Sequence, residues 1–167
     1  MGDGGRMIQV PEGSQILTEG ELNLDMYKIV SGHAEVYTGF GTDTETLIGI
    51  IGPGACFGEF GMLLEKPAIY TVIAYSDMLL LRITKGELGD FVQQNHKNIV
   101  DIMQNMAQTM MTMRTQIDLL ITELSEGKKP DETQIHDMRK QLRGYAVYKN
   151  VGMKGKFHTL DMIRDNH

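Results

Sequence analysis

The residues best placed to do chemistry lie in one run, Gly54-Ala55-Cys56-Phe57-Gly58-Glu59-Phe60-Gly61-Met62-Leu63-Leu64, continued by Lys66-Pro67-Ala68-Ile69-Tyr70-Thr71-Val72. A glycine-rich turn leads into a short apolar helical turn, and the proline then returns the chain to a β-branched strand. A helix that opens after a glycine leaves backbone N–H groups without intrahelical partners, and with the helix dipole these suit an anion. Glu59 stands at that opening, where its carboxylate could accept hydrogen bonds from a ligand's hydroxyls.

Other chemistries find fewer residues. A metal held inside a small β fold needs about three or four His or carboxylate ligands. Only His33 falls among the strand-like runs, while His96, His136, His158 and His167 lie further on. His33 follows Gly32 and reads as a hairpin residue. Cys56 is the sole cysteine, so neither an internal disulfide nor an iron–sulfur cluster can form. It reads as a small buried hydrophobe, and haem ligation through Cys56 or His33 has no evident second ligand. No Ser-His-Asp set or carboxylate pair stands out. The expectation is a protein with no catalytic residues and no metal site.

The elements that must position the glycine run are short. Turn signals recur at Glu12-Gly13-Ser14, Glu19-Gly20-Glu21, Ser31-Gly32, Gly39 to Asp43, Gly52-Pro53-Gly54 and Ser76-Asp77. Between them lie β-rich runs: Met26 to Val30, Ala34 to Tyr37, Leu47 to Ile51, Thr71 to Tyr75 and Met78 to Ile83. Strands of this length and spacing argue for a small antiparallel sandwich or barrel. The expected class is therefore mainly β with α, an antiparallel jelly-roll-like β-roll.

In order and spacing, Glu19-Gly20-Glu21-Leu22-Asn23-Leu24-Asp25-Met26-Tyr27-Lys28-Ile29-Val30-Ser31-Gly32-His33-Ala34-Glu35-Val36-Tyr37 and Phe57-Gly58-Glu59-Phe60-Gly61 resemble a cyclic-nucleotide-binding domain of the catabolite-activator (Crp-Fnr) type. The resemblance covers about residues 8–126. It implies that Glu59 holds a ribose 2′-hydroxyl and that the amides around Gly58, Phe60 and Gly61 meet a cyclic phosphate. It also implies an Arg nine residues after that Glu, forked onto the phosphate. Ala68 stands there instead, followed by Ile69 and Tyr70 where small residues are usual; Thr71 and Val72 rejoin the pattern. A charge-assisted hydrogen bond contributes about 1.5–3 kcal/mol, so loss of a bidentate Arg weakens phosphate binding by roughly one to three decades. Lys66 offers a point charge without the planar fork. The ligand-binding candidates are Gly58, Glu59, Phe60, Gly61, Ala68, Ile69 and Thr71. The expected ligand is a cyclic nucleotide (cyclic AMP or cyclic GMP) bound weakly, or another small molecule.

From about Lys97 to Glu126 the chain has neither Gly nor Pro. Ile99, Met103, Met106, Met110, Met113, Ile117, Leu120 and Leu124 follow at alternating steps of four and three, the a/d stripe of a two-stranded coiled coil. Val100, Ala107 and Met111 offer a second apolar face for the chain's own roll. A homodimer through the long helix is expected; the resemblance implies that this helix also closes the nucleotide pocket, so its adaptable methionine-rich seam could shift when the pocket fills. Gly127 and Pro130 stop the helix.

Residues 1–127 carry 7 Lys/Arg against 17 Asp/Glu, and residues 128–167 carry 9 against 5. The acidic body disfavours bulk phosphate binding, whereas the basic tail could touch nucleic acid. Asp131 could cap a helix reaching Arg143, but no recognition helix follows, so DNA contacts through Lys149, Lys154, Lys156 and Arg164 would not read sequence. No apolar run suits a membrane span or a signal peptide, and a cytoplasmic location is expected. Three units follow: a roll over 1–95, a dimerisation helix over 96–126, and a short, basic, partly helical tail over 127–167. The leading function is a non-enzymatic ligand-sensing regulatory module. The alternatives are a transcription regulator with a reduced DNA-binding tail and a ligand-free dimeric scaffold.

Overall fold

The computed structural model describes residues 5–129 and 131–136. Two four-stranded antiparallel sheets face one another. One takes β1 (Arg6–Val10), β8 (Met78–Ile83), β3 (Met26–Ser31) and β6 (Cys56–Phe57) in that order, and the other takes β2 (Gln15–Leu17), β7 (Thr71–Ala74), β4 (Ala34–Thr38) and β5 (Thr46–Ile51). Five of these strands match the β-branched runs. β1, β2 and β6 carried no such signal; they form because a neighbour offers an edge, β1 pairing with β8, β2 with β7 and β6 with β3.

Alternation along β4 buries Ala34, Val36 and Thr38 and turns Glu35 and Tyr37 outward, as a half-buried strand requires. Ile29, Val36, Phe57, Tyr70, Val72 and Leu80 meet in a core drawn from both sheets. Tyr27 on β3 stacks on Phe57 of β6, ring centroids 5.2 Å apart. The turn between β3 and β4 needs Gly32, whose φ is +83° and where a Cβ would lie 2.3 Å from the Asp77 carbonyl. His33 sits in this hairpin, its ring against Gly52.

Three helices interrupt or follow the roll: α1 (Glu59–Leu64), α2 (Leu88–Gln94) and α3 (His96–Ser125). The Thr84 N–H and hydroxyl both donate to Glu87 Oε2. That contact closes a turn before α2 rather than capping it, and the helix proper begins four residues after Thr84. At the other end of α3, Lys128 N–H donates to the Glu123 carbonyl and Gly127 N–H to the Leu124 carbonyl. With Gly127 at φ +76°, this is a Schellman stop.

A second apolar cluster joins helices to roll: Met26, Cys56, Met62, Leu81, Ile83, Phe91 and Ile102, with Ile99 and Met106 packed against it. The face of α3 that meets the roll therefore differs from expectation. Ile102 carries it, a residue outside the stripe, together with Ile99 and Met106; Val100, Ala107 and Met111 are exposed. Residues 132–136 are helical, and Asp131 and Gln134 cap each other reciprocally, Gln134 N–H to Asp131 Oδ1 at 2.7 Å and Asp131 N–H to Gln134 Oε1 at 3.0 Å. The remainder of the expected tail helix, and the basic residues from Arg139 onward, lie outside the described residues.

Candidate functional site

β6 delivers the chain to Gly58, which adopts φ +85° and opens α1. At the other end Glu65 closes the helix, also left-handed at φ 54°. The glycines here are required by backbone proximity. A Cβ on Gly58 would lie 2.6 Å from the Asp25 carbonyl oxygen, and one on Gly61 would lie 1.8 Å from that of Asn23. The segment leading into β3 thus presses directly on the turn. It is held from the other side by a two-bond bridge, Gly20 N–H to the Ala68 carbonyl and Ala68 N–H to the Glu21 carbonyl.

Five of the seven candidate ligand residues come together. Gly58, Phe60, Gly61, Ala68 and Ile69 line one pocket, completed by Leu17, Asn23 and Tyr70. Leu17 and Asn23 had no local sequence signal, since long-range pairings bring them in: Leu17 with Val72 across β2 and β7, and residues 20–21 with Ala68. The remaining space is about 10 Å³, room for at most one water, whereas small-molecule pockets run to about 300–1,000 Å³. Thr71 lies elsewhere. Its hydroxyl accepts the Glu19 N–H at 3.0 Å and faces an open cleft of about 300 Å³ shared with Gln15, Thr18, Phe40, Thr42 and Thr44.

Glu59 is not at an open mouth. It is 1% exposed, and burial pushes its carboxyl up to about 8, opposed by its own backbone N–H and by the Tyr70 hydroxyl. At neutral pH this group is mostly uncharged. Its Oε1 has no hydrogen-bond partner among the described residues, while Oε2 lies 3.5 Å from the Tyr70 hydroxyl. That hydroxyl also accepts the Gly58 N–H at 3.1 Å, the amide that the resemblance implies for an anion. Tyr70 itself is 1% exposed.

Among the described residues no cation lines the pocket. Lys66, considered above as a substitute for the Arg that the resemblance implies, is exposed and does not reach the lining. Lys28 donates to Asn95 at 2.6 Å, Arg82 to Asp25 at 2.7 Å, and Lys85 pairs with Glu65. Cys56 is buried, its thiol pushed up to about 12 chiefly by desolvation, so it is an unreactive neutral thiol. Asn98 of α3 donates to the Gly54 carbonyl at 2.8 Å and to Cys56 Sγ at 3.6 Å, tying the long helix to the start of the glycine turn. Among the described residues no group of His, Cys, Asp and Glu is placed to hold a metal, and no helix is long and apolar enough to cross a membrane.

Comparison with known proteins bears on this geometry. The family model for the cyclic nucleotide-binding domain matches residues 7–95, just over half of the chain. The potassium channel KAT6 of Oryza sativa subsp. japonica is 30% identical over 95 residues, 57% of this chain and 16% of the channel. The potassium channel AKT1 of Arabidopsis thaliana is 27% identical over 103 residues, 62% of this chain and 12% of the channel. The chain thus spans under a fifth of the length of these channels. Among solved structures, the Thermus thermophilus catabolite activator protein superposes with a TM-score of 0.60 at 23% identity, covering 72% of this chain and 56% of that one. A transcriptional regulator from Thermotoga maritima gives 0.57 at 15% identity, covering 71% and 92%. At such identities the structural likeness establishes the fold alone. The β-roll, the glycine turn opening α1 and the family match agree: this chain belongs to the cyclic nucleotide-binding domain family.

Proposed function

We propose that this chain is a non-enzymatic regulatory module of the cyclic nucleotide-binding type, assembled as a homodimer through α3, whose affinity for cyclic nucleotides is weakened. The observation that carries the reading is a glycine turn of the family's kind with no cation in its pocket among the described residues. A cyclic phosphate is a monoanion, and transferring it into a dry site without a compensating charge is strongly unfavourable. Backbone amides soften that cost but do not cancel it. Ala68 stands where the family's resemblance places an Arg, and among the described residues no Lys or Arg in the pocket lining replaces it.

The route from pocket to dimer runs through the second cluster. Met62 of α1 and Cys56 of β6 share it with Ile99, Ile102 and Met106 of α3. A change in the glycine turn would therefore press on the first third of the long helix. Titration calorimetry of the full chain with cyclic AMP and with cyclic GMP tests the reading. Binding no tighter than about 1 mM is expected; micromolar affinity for either nucleotide would overturn it.

A further inference from the structure

Two of the polar groups that the glycine turn would offer a ligand, the Gly58 amide and Glu59 Oε2, are already engaged by one side chain of the same chain. The Tyr70 hydroxyl accepts from the Gly58 amide at 3.1 Å and reaches Glu59 Oε2 at 3.5 Å. Its ring is enclosed by the core that includes Leu17, Phe57 and Ala68, and about 10 Å³ is left beside it. A phenol is an apolar disc with one group that both donates and accepts. The pocket matches that shape with apolar walls and one donor–acceptor pair at its end. Tyr70 sits in a strand-leading segment pinned by the bridge between Ala68 and residues 20–21, so the ring's position is set by backbone pairing on one side and by β7 on the other.

We propose that Tyr70 is the specificity-determining residue of this site: its side chain is the occupant of the family's nucleotide pocket, and an external ligand enters only when the ring leaves. The inference rests on the weakened-binding reading above and deepens it. Lack of a cation alone would leave an empty pocket of the ordinary size with low affinity. Occupation by Tyr70 removes the space as well as the hydrogen bonds. The two causes make different predictions when each is reversed separately.

The test uses the full chain as wild type, Tyr70→Ala, Ala68→Arg and the double variant, with p-cresol and cyclic AMP as probes. Tyr70→Ala vacates a ring-sized apolar space of the kind that takes up small aromatics. p-Cresol is expected to raise its melting temperature while leaving the wild type unchanged. Cyclic AMP is expected to bind the double variant at least about tenfold more tightly than Ala68→Arg alone, one such factor being the scale of a single good contact. Equal affinity of Ala68→Arg and the double variant, or silence from both, would overturn the role of Tyr70; equal and restored affinity would leave the missing cation as the whole cause. Micromolar binding by the wild type would instead overturn the weakened-binding reading itself. Should Tyr70→Ala not fold, Tyr70→Phe keeps the ring and removes the hydroxyl. Faster hydrogen exchange at the Gly58 amide is expected there, and unchanged exchange would refute the bridging hydroxyl.

Discussion

Glu59 illustrates how a residue can keep its place in a family pattern and change its electrostatics. A carboxyl at a helix start beside backbone amides is ordinarily ionised, but enclosure drives this one up to about 8. The consequence for stability has a definite sign. In the unfolded chain the group releases its proton near 4.5, and in the folded chain it holds the proton to about 8. Unfolding in that window releases a proton, so this group's contribution to stability is flat below about 4.5, falls as pH rises, and levels off above about 8. The slope approaches about 1.4 kcal/mol per pH unit where the folded state alone is protonated. Glu59→Gln cannot ionise and removes that slope. Urea unfolding of both proteins from about pH 5 to about pH 8 should give curves whose difference grows toward the alkaline end. A constant difference would mean that the carboxyl is ionised in the fold.

At the scale of elements, the glycine turn is a packing joint between α1 and the segment that enters β3. Gly61 is inside α1, where an alanine would ordinarily favour the helix by about 1 kcal/mol. Here its Cβ would stand 1.8 Å from the Asn23 carbonyl oxygen, a backbone atom that cannot rotate away. Gly61→Ala is therefore expected to destabilise by about 2–3 kcal/mol, an overpacking cost, and to lower the melting temperature clearly. Gly86→Ala is the control, because nothing lies within 4 Å of its added Cβ, and it should stay within about 0.5 kcal/mol of the wild type. Similar melting temperatures for the two variants would show that the 23–25 segment yields easily. These elements differed in how far the sequence disclosed them. β3, β4, β5, β7 and β8 announced themselves through β-branched runs between glycine turns, and α3 through its unbroken three-four spacing. β1 and β6 did not, because Arg6–Val10 is half exposed and Cys56–Phe57 is two residues long; each is a strand only because its neighbour supplies hydrogen bonds.

For the whole molecule, the outer part of α3 is the feature that a single chain leaves unexplained. Met103, Met110, Ile117 and Leu124 recur every seven residues and are 64%, 71%, 54% and 52% exposed. Their partners in the stripe behave differently: Ile99 and Met106 pack on the second cluster, and Met113 and Leu120 are half-buried. One heptad position thus serves the roll at its beginning, and the other stays exposed in the single chain, as the proposed dimer requires. In a parallel dimer, Met110→Glu with Ile117→Glu would set like charges across a desolvated seam. Sedimentation equilibrium is expected to give a dimer for the wild type and a monomer for this variant, with the roll's far-ultraviolet signature retained. Identical masses for both would rule out this face as the interface.

The sequence by itself determined the architecture and the family. Alternating and β-branched runs, glycines at positive-φ turns and a three-four apolar repeat are local patterns, and local patterns survive being read one segment at a time. It also shows Ala68 at the spacing where the resemblance implies an Arg, because that is a statement of residue type at a spacing. Tertiary structure decided what fills the site. Whether Tyr70 turned into the pocket or out of it, whether Glu59 faced solvent, that Thr71 opened onto a different cleft and that Ile102 met the roll all depend on pairings between residues far apart in the chain. The glycine turn is a cradle by sequence, and the phenol lying in it is a fact of packing: side-chain direction on β7's approach is set by its register with neighbours, which no single segment encodes.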